Sequence, residues 1–407
     1  MKANVIIVGG GIGGLSTALC LARYNISSVI LEQASEITEV GAGIQLSPNC
    51  SRVLHKLGLE KALSEKGLKP EFIKIRSWQS GIILESTALG FQIQSLCGFP
   101  YYHIHRADLI GLLLDAVLAE PLITLHRDEC VESYSETPFS EETANNKSES
   151  VSVQTQKAVY KGDIVIGADG LHSVIRRQLF GIEKPSFTGN VAWRFMVPAD
   201  RLANKPELSA QAWWGPGKHM VQYYVKGGKF INCVAVIEKQ LTELESWHQR
   251  GDAKELKSAF SYWHDDIQQL IDNMDEQSCF KTALYDREPL NNWSQGRVTL
   301  LGDACHPTLP TLAQGAAMAI EDAATIAYCL DSASEKPEKA LVQYQSLRMK
   351  RTAKLQQWAR RNVNIFHLEG PAAWIRDRSM VFRPANKILG EVYAYNVYAF
   401  DKDQSRH

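Results

Sequence analysis

The sequence predicts an α/β protein in two parts. One is a discontinuous parallel sheet flanked by helices; the other is a smaller antiparallel sheet. A helical C-terminal region follows both. Three observations predict this. A short β-branched run, Val5-Ile6-Ile7-Val8, opens onto a glycine-rich turn and then a segment of helical spacing. Two later runs of similar character, Asp163 to Gly167 and Arg297 to Gly302, also lead into Gly and Asp. Residues 186–284 instead alternate in character and are dense in Trp and Tyr.

The chain has 407 residues, 45% of them apolar, enough for two cores. Lys plus Arg is 44 and Asp plus Glu is 45, a net charge of −1. Such a chain has no long-range field to gather nucleic acid, so no nucleic-acid partner is expected. The eight cysteines include no CxxC pair and no zinc spacing. They read as reduced, mostly buried thiols of a cytoplasmic protein with no metal site. Asn4 to Ala22 carries no charge, but five glycines interrupt it and only Lys2 precedes it. It therefore reads neither as a signal peptide nor as a membrane span.

Taken in order, Val5–Val8 reads as a strand covered on both faces, because it has no polar alternation. Leu15 to Tyr24 is helical, and Ser27 to Leu31 is the next strand, which completes a βαβ unit. Asp163 to Gly167 and Arg297 to Gly302 join the same Rossmann-like sheet. Their Gly–Asp ends fall where open parallel sheets bind ligands. His219 to Val225 and Phe230 to Ile237 flank Gly227-Gly228 and read as a hairpin of the second sheet, to which residues 71–94 add strands. Ser135 to Ser150 reads as an exposed loop. From Lys336 onward the pattern is amphipathic and basic, a solvated helical face. The first domain thus takes 1–70, 98–185 and 285–335, the second 71–97 and 186–284, and the helical region 336–407.

Gly9-x-Gly11-x-x-Gly14 sits between strand and helix. Gly9 makes the turn, Gly11 admits a pyrophosphate, and Gly14 lets helix and strand pack closely. Glu32 closes the second strand, where an acid accepts bonds from a ribose hydroxyl. Strand, turn, helix and acid together indicate dinucleotide binding, of FAD or NAD rather than NADP. The bland alternative is a turn used only for packing.

Two further motifs choose between them. Gly167-Ala168-Asp169-Gly170-Leu171-His172-Ser173-Val174-Ile175-Arg176 follows the middle strand. Gly302-Asp303-Ala304-Cys305-His306-Pro307 follows the late one and leads to Gln314 through Ala323. With the glycine turn, from residue 3 to about residue 330, these resemble the single-component FAD-dependent aromatic hydroxylases, the p-hydroxybenzoate hydroxylase superfamily. The flavour is that of salicylate hydroxylase, 3-hydroxybenzoate 6-hydroxylase and 6-hydroxynicotinate 3-monooxygenase. The resemblance implies tightly but non-covalently bound FAD, with NADH or NADPH as a transient reductant that needs no second fingerprint. It implies NAD(P)H- and O2-dependent hydroxylation of a small phenolic or heteroaromatic acid through a flavin C4a-hydroperoxide, with or without salicylate-type decarboxylation. Asp303 would bind the ribityl chain and Arg106 the ribityl–phosphate side. Asp169 would serve both FAD and the nicotinamide donor. Gly41 to Gln45, with Gly43 and Gln45, would be a mobile loop beside the isoalloxazine. Gly315 and Ala316 would begin a helix whose positive end faces the flavin pyrimidine edge.

His219 and Tyr223 are the catalytic candidates. Four apart on a strand, they share a face, and histidine titrates where a phenol base is useful. The resemblance adds that a His and a Tyr at this spacing line the substrate pocket. The alternative is a half-buried pair with satisfied hydrogen bonds. The loop after His306-Pro307 departs from relatives that carry Gln or His there. Its Thr311 can hydrogen-bond but takes no proton at neutral pH. His306 is assigned no catalytic role.

Competing readings are an FAD-dependent epoxidase of a terpenoid or other secondary metabolite, a non-catalytic flavoprotein, and a simple NAD dehydrogenase. The last leaves two motifs idle. The expected assembly is a monomer or homodimer, with no membrane partner.

Overall fold

A computed structural model describes residues 5–37, 42–136, 151–239, 249–333, 336–380 and 386–399. Val5–Val8 is buried at every position, as a run without polar alternation requires. It pairs in parallel with Ile164–Gly167 on one side and Ser28–Glu32 on the other. The full order is Ser294–Gln295, Val298–Leu300, Ile164–Gly167, Val5–Val8, Ser28–Glu32, Ile123–Arg127. Only the outermost pairing, Ser294–Gln295 with Val298–Leu300, is antiparallel. Helix Ile12–Arg23 packs against helix Gly315–Ser332 and against Arg106–Ala119. These helices and the sheet enclose one apolar core. Each Val, Ile or Leu buried there stabilises the fold by about 1.5–3 kcal/mol before entropy is counted.

A second sheet has eight strands, in the order Gln249–Arg250, Phe280–Asp286, Ser186–Pro198, Phe230–Glu238, Lys218–Val225, Ala210–Gly215, Phe72–Ser77, Ile83–Ala88. The hairpin forms where the sequence predicts it, with Gly227 and Gly228 at φ of 65° and 85°. One pairing departs from the antiparallel expectation: Ala210–Gly215 runs parallel to Phe72–Ser77. The 72–88 hairpin docks as a unit on a free edge, so its direction is not set by a tight turn from its neighbour. Residues 71–97 also contribute a helix, Gly90–Cys97.

A short pair, Gly43–Leu46 with Tyr102–His105, lies beside this sheet. The segment expected to be an exposed loop begins within strand Val131–Glu136, and residues 137–150 lie outside the described residues. The C-terminal region is helical, with Pro337–Phe366 the longest described helix at 30 residues. It is not simply a solvated face. Its buried stripe includes Tyr344, Arg348, Thr352 and Gln356. Arg348 is fully buried because Glu321 and Asp322, also fully buried, need a cation: Nε lies 2.7 Å from Asp322 and Nη2 2.7 Å from Glu321. Among the described residues no helix is long and apolar enough to cross a membrane. The eight cysteines are free, and all but Cys130 are buried.

Candidate active site

The carboxyl end of the parallel sheet and one face of the eight-stranded sheet border a cavity of 380 Å³. It runs from the glycine turn to the strand that carries His219 and Tyr223, past Ala42 to Gln45, Arg106, Asp303 and the start of helix Gly315–Ser332.

At the turn, a Cβ on Gly14 would lie 1.9 Å from the Gly9 carbonyl oxygen, so only glycine permits this strand–helix packing. A Cβ on Gly11 would meet nothing within 4 Å, because that side opens on the cavity. The open cradle fits an approaching pyrophosphate. Glu32 Oε2 accepts from Gly10 N at 2.6 Å and Oε1 from Ala34 N at 2.8 Å, which fixes the acid at the mouth of the turn. Helix Gly315–Ser332 has no side-chain cap and no acid in its first turn. Its leading N–H groups therefore remain for an anion, with Gly315 and Ala316 on the cavity wall.

Asp303 lines the cavity and is exposed to it, with protein packed densely around. Burial pushes its carboxyl up, and the charges of His306 and Arg106 oppose that. Asp169 is turned away from this space. It accepts from Ser173 Oγ at 2.5 Å and from the backbone of Val174 and Ile175 at 2.7 and 3.2 Å, and so caps helix Val174–Phe180. Its neighbours Ala168 and Gly170 line the cavity instead. Gln45 Oε1 accepts from the Tyr101 hydroxyl at 2.6 Å. Gly41 lies outside the described residues.

His219 and Tyr223 line the same cavity, as their spacing predicts. A Cβ on Gly43 would lie 2.7 Å from the Tyr223 ring, so glycine at 43 makes room for that phenol. Tyr223 also packs against His103 at 4.5 Å between ring centroids. Burial pushes its hydroxyl upward, against the charge of Arg194, so it is a hydrogen-bond donor at neutral pH. His219 is 1% exposed, and its Nδ1 lies 2.7 Å from Nε2 of His367. Burial first, and His367 second, hold its pKa well below 6.5, so the ring is neutral and a lasting positive charge on it is disfavoured.

Three placements were not foreseen. Arg194, inside the apolar strand Ser186–Pro198, points a guanidinium at the cavity. It has no ion pair with an acid among the described residues, and burial, then Arg106, lowers its pKa. A lone cation in the run Val191 to Val197 was the available signal. Asn232 Oδ1 accepts from Gly43 N at 2.7 Å and anchors strand Gly43–Leu46, whose pairing with Tyr102–His105 makes Gly43 and Gln45 strand residues and not the mobile loop expected. His367 joins from the end of the long C-terminal helix, with no motif to announce it. Thr311 does hydrogen-bond, but away from the cavity: its hydroxyl donates to the Ala359 carbonyl at 2.8 Å. The Pro310–Leu312 turn directs it at the C-terminal helix, while Thr308, Leu309 and Pro310 line the cavity. Cys305, His306 and Asp322 offer ligand atoms within 4.8 Å of one another. Both Asp322 oxygens, however, already serve His306 and Arg348.

The family model described as FAD binding domain matches residues 2–359. The chain belongs to that family. As an FAD-binding-domain protein it is 37% identical over 380 residues to the 3-amino-4-hydroxybenzoate 2-monooxygenase of Streptomyces cremeus, which covers 93% of this chain and 91% of that one. It is 35% identical to the 3-hydroxybenzoate 6-hydroxylase 1 of Aquipseudomonas alcaligenes, over 93% and 94% of the two chains. The solved structure of Klebsiella pneumoniae HpxO with FAD and uric acid superposes at a TM-score of 0.82 and 25% identity, over 95% of each chain. The protein is an FAD-dependent monooxygenase of this family.

Proposed function

We propose that the protein hydroxylates a small phenolic or heteroaromatic carboxylic acid, with NAD(P)H and O2 as co-substrates. The observation that carries this reading is one cavity that joins a dinucleotide cradle to a neutral histidine, a phenol donor and a guanidinium lacking an acidic partner among the described residues. Gly9, Gly11, Gly14 and Glu32 would hold the ADP half of FAD, and Arg106 and Asp303 its ribityl–phosphate stretch. Gly43, Gln45, Gly315 and Ala316 would border the ring system, and Asp169 would hold its loop in place. FAD held there would supply hydride acceptance and oxygen activation.

The protein's own side chains prepare the substrate. Arg194 is suited to the substrate carboxylate. His219 takes the proton of a ring hydroxyl at Nε2, because Nδ1 is engaged by His367. Tyr223, held protonated, donates to the ring hydroxyl or to the phenolate it becomes. Leu309, Val234 and Val236 wall off water. The charged lining favours an aromatic acid over a terpenoid. The eight free thiols support a cytoplasmic setting, and a monomer or homodimer is proposed.

The test is oxygen uptake and NAD(P)H oxidation with 3-amino-4-hydroxybenzoate, 3-hydroxybenzoate, 6-hydroxynicotinate and salicylate, with product mass. Stimulated oxidation and a product carrying one added oxygen atom are expected. Oxidation unaffected by every acid, with no oxygenated product, overturns the reading.

A further inference from the structure

A line of three side chains leaves the cavity through the protein wall. His219 Nδ1 lies 2.7 Å from His367 Nε2, and His367 Nδ1 lies 2.7 Å from Glu238 Oε1. The His367 side chain is 1% exposed and that of Glu238 54% exposed, so the line begins in a closed interior and ends in solvent. The parts come from three elements: strand Lys218–Val225, the end of helix Pro337–Phe366, and the last residue of strand Phe230–Glu238. The joint is built. Phe366 stacks on Trp214 at 4.1 Å and meets the His219 ring edge-on at 5.2 Å. The His367 carbonyl accepts from Gly217 N at 3.1 Å.

Donor counting fixes the tautomers. A carboxylate only accepts, so Nδ1 of His367 carries a hydrogen. A neutral imidazole carries one, so Nε2 of His367 is an acceptor, and Nδ1 of His219 must donate to it. Nε2 of His219 is then left with its lone pair, the form a base requires. The exposed carboxylate thus sets the state of a ring two bonds away.

We propose that His219, His367 and Glu238 form a proton relay that carries the substrate's phenolic proton from the cavity to solvent, with His367 as its coupling residue. This rests on the hydroxylase reading above. The substrate O–H breaks as Nε2–H forms on His219. The Nδ1–H of His219 passes to Nε2 of His367, and the Nδ1–H of His367 passes to Glu238, which yields a proton to water. One proton leaves, no electrons move, and both rings end as the opposite tautomer. The reverse shift restores them. The relay solves a problem that the cavity creates: a fully buried imidazolium is costly, and concerted transfer leaves no lasting charge on either ring. The charged groups facing the pair are Glu238, which favours protonation of His367, and Arg376 of helix Gly370–Met380, which opposes it. Arg194 and Arg106 lie on the cavity wall.

The test uses the FAD-loaded enzyme in weak buffer with a pH-indicator dye, mixed rapidly with 3-amino-4-hydroxybenzoate or whichever acid of the panel the wild type turns over. The wild type releases one proton per site in a fast phase. His367→Ala is expected to slow that phase by at least about tenfold, with added imidazole restoring it and FAD retention unchanged. Glu238→Gln, at an exposed position, keeps the fold and slows release by a smaller factor. If His367→Ala loses FAD, Glu238→Gln decides. Wild-type release rates and an unshifted kcat–pH profile in the variants, alongside an active wild type, overturn the relay alone. A wild type that turns over none of the panel overturns the hydroxylase reading and the relay with it.

Discussion

Arg194 faces the cavity with no acid beside it among the described residues. Arg194→Ala is therefore expected to raise KM for aromatic acids by roughly 10- to 100-fold, the worth of a charge-assisted contact, and to change KM little for a phenol that lacks the carboxylate. Steady-state kinetics on such a substrate pair checks this. A second prediction concerns acid. Burial holds His103 at about 3 and His219 well below its usual 6.5. The unfolded chain then binds more protons than the folded one between those values. Stability is intact above about pH 6.5 and falls below it, by up to about 1.4 kcal/mol per pH unit per ring. Urea midpoints at pH 7, 6 and 5 should decline in that order, and His103→Gln should flatten the decline. At this scale the sequence discloses what local spacing encodes. The glycine turn and the His219–Tyr223 pair depend on spacings of a few residues. His367 meets His219 across 148 residues, which no local pattern records.

Helix Pro337–Phe366 shows what amphipathic reading misses. Its apolar stripe is legible, but the arginine within the stripe is not, because the acids that bury it lie on helix Gly315–Ser332. Glu321 also pairs with Arg351 at 2.8 Å, and the two guanidinium groups keep its carboxyl below the usual range. Arg348→Ala leaves two buried acids short of a cation and should cost about 3–5 kcal/mol of stability. A denaturation midpoint lowered by that amount is the expected result, and a change within error would contradict it. The parallel join of Ala210–Gly215 to Phe72–Ser77 was hidden for a related reason. Strand character is local, but the edge a hairpin chooses depends on what else has already formed.

Across the molecule, the cavity borders both sheets, so FAD bound there ties the two layers together. Saturating FAD at about 100 times its Kd should stabilise the protein by about 2.7 kcal/mol. A thermal melt of apoprotein and FAD-loaded protein, with FAD titrated, measures it. An FAD-independent melting temperature would count against this placement. At this scale the two-part α/β architecture was legible, because three similar strand–turn signals recur along the chain. The docking of helix Pro337–Phe366 on Gly315–Ser332 was not, since it depends on partners far apart in the chain.

The pairing of Val5 with Ile164, and of Val165 with Val298, also bears on biosynthesis. Emerging from a ribosome, the first strand finds Ser28 to Glu32 early, while its other flank stays bare until far more polypeptide has appeared. Strand Ile164–Gly167 in turn waits for Val298–Leu300. A nascent chain with such late partners folds slowly and exposes sticky β edges in the meantime. Newly made protein should therefore depend on chaperones during translation, and heterologous yield should improve at low temperature or slow induction.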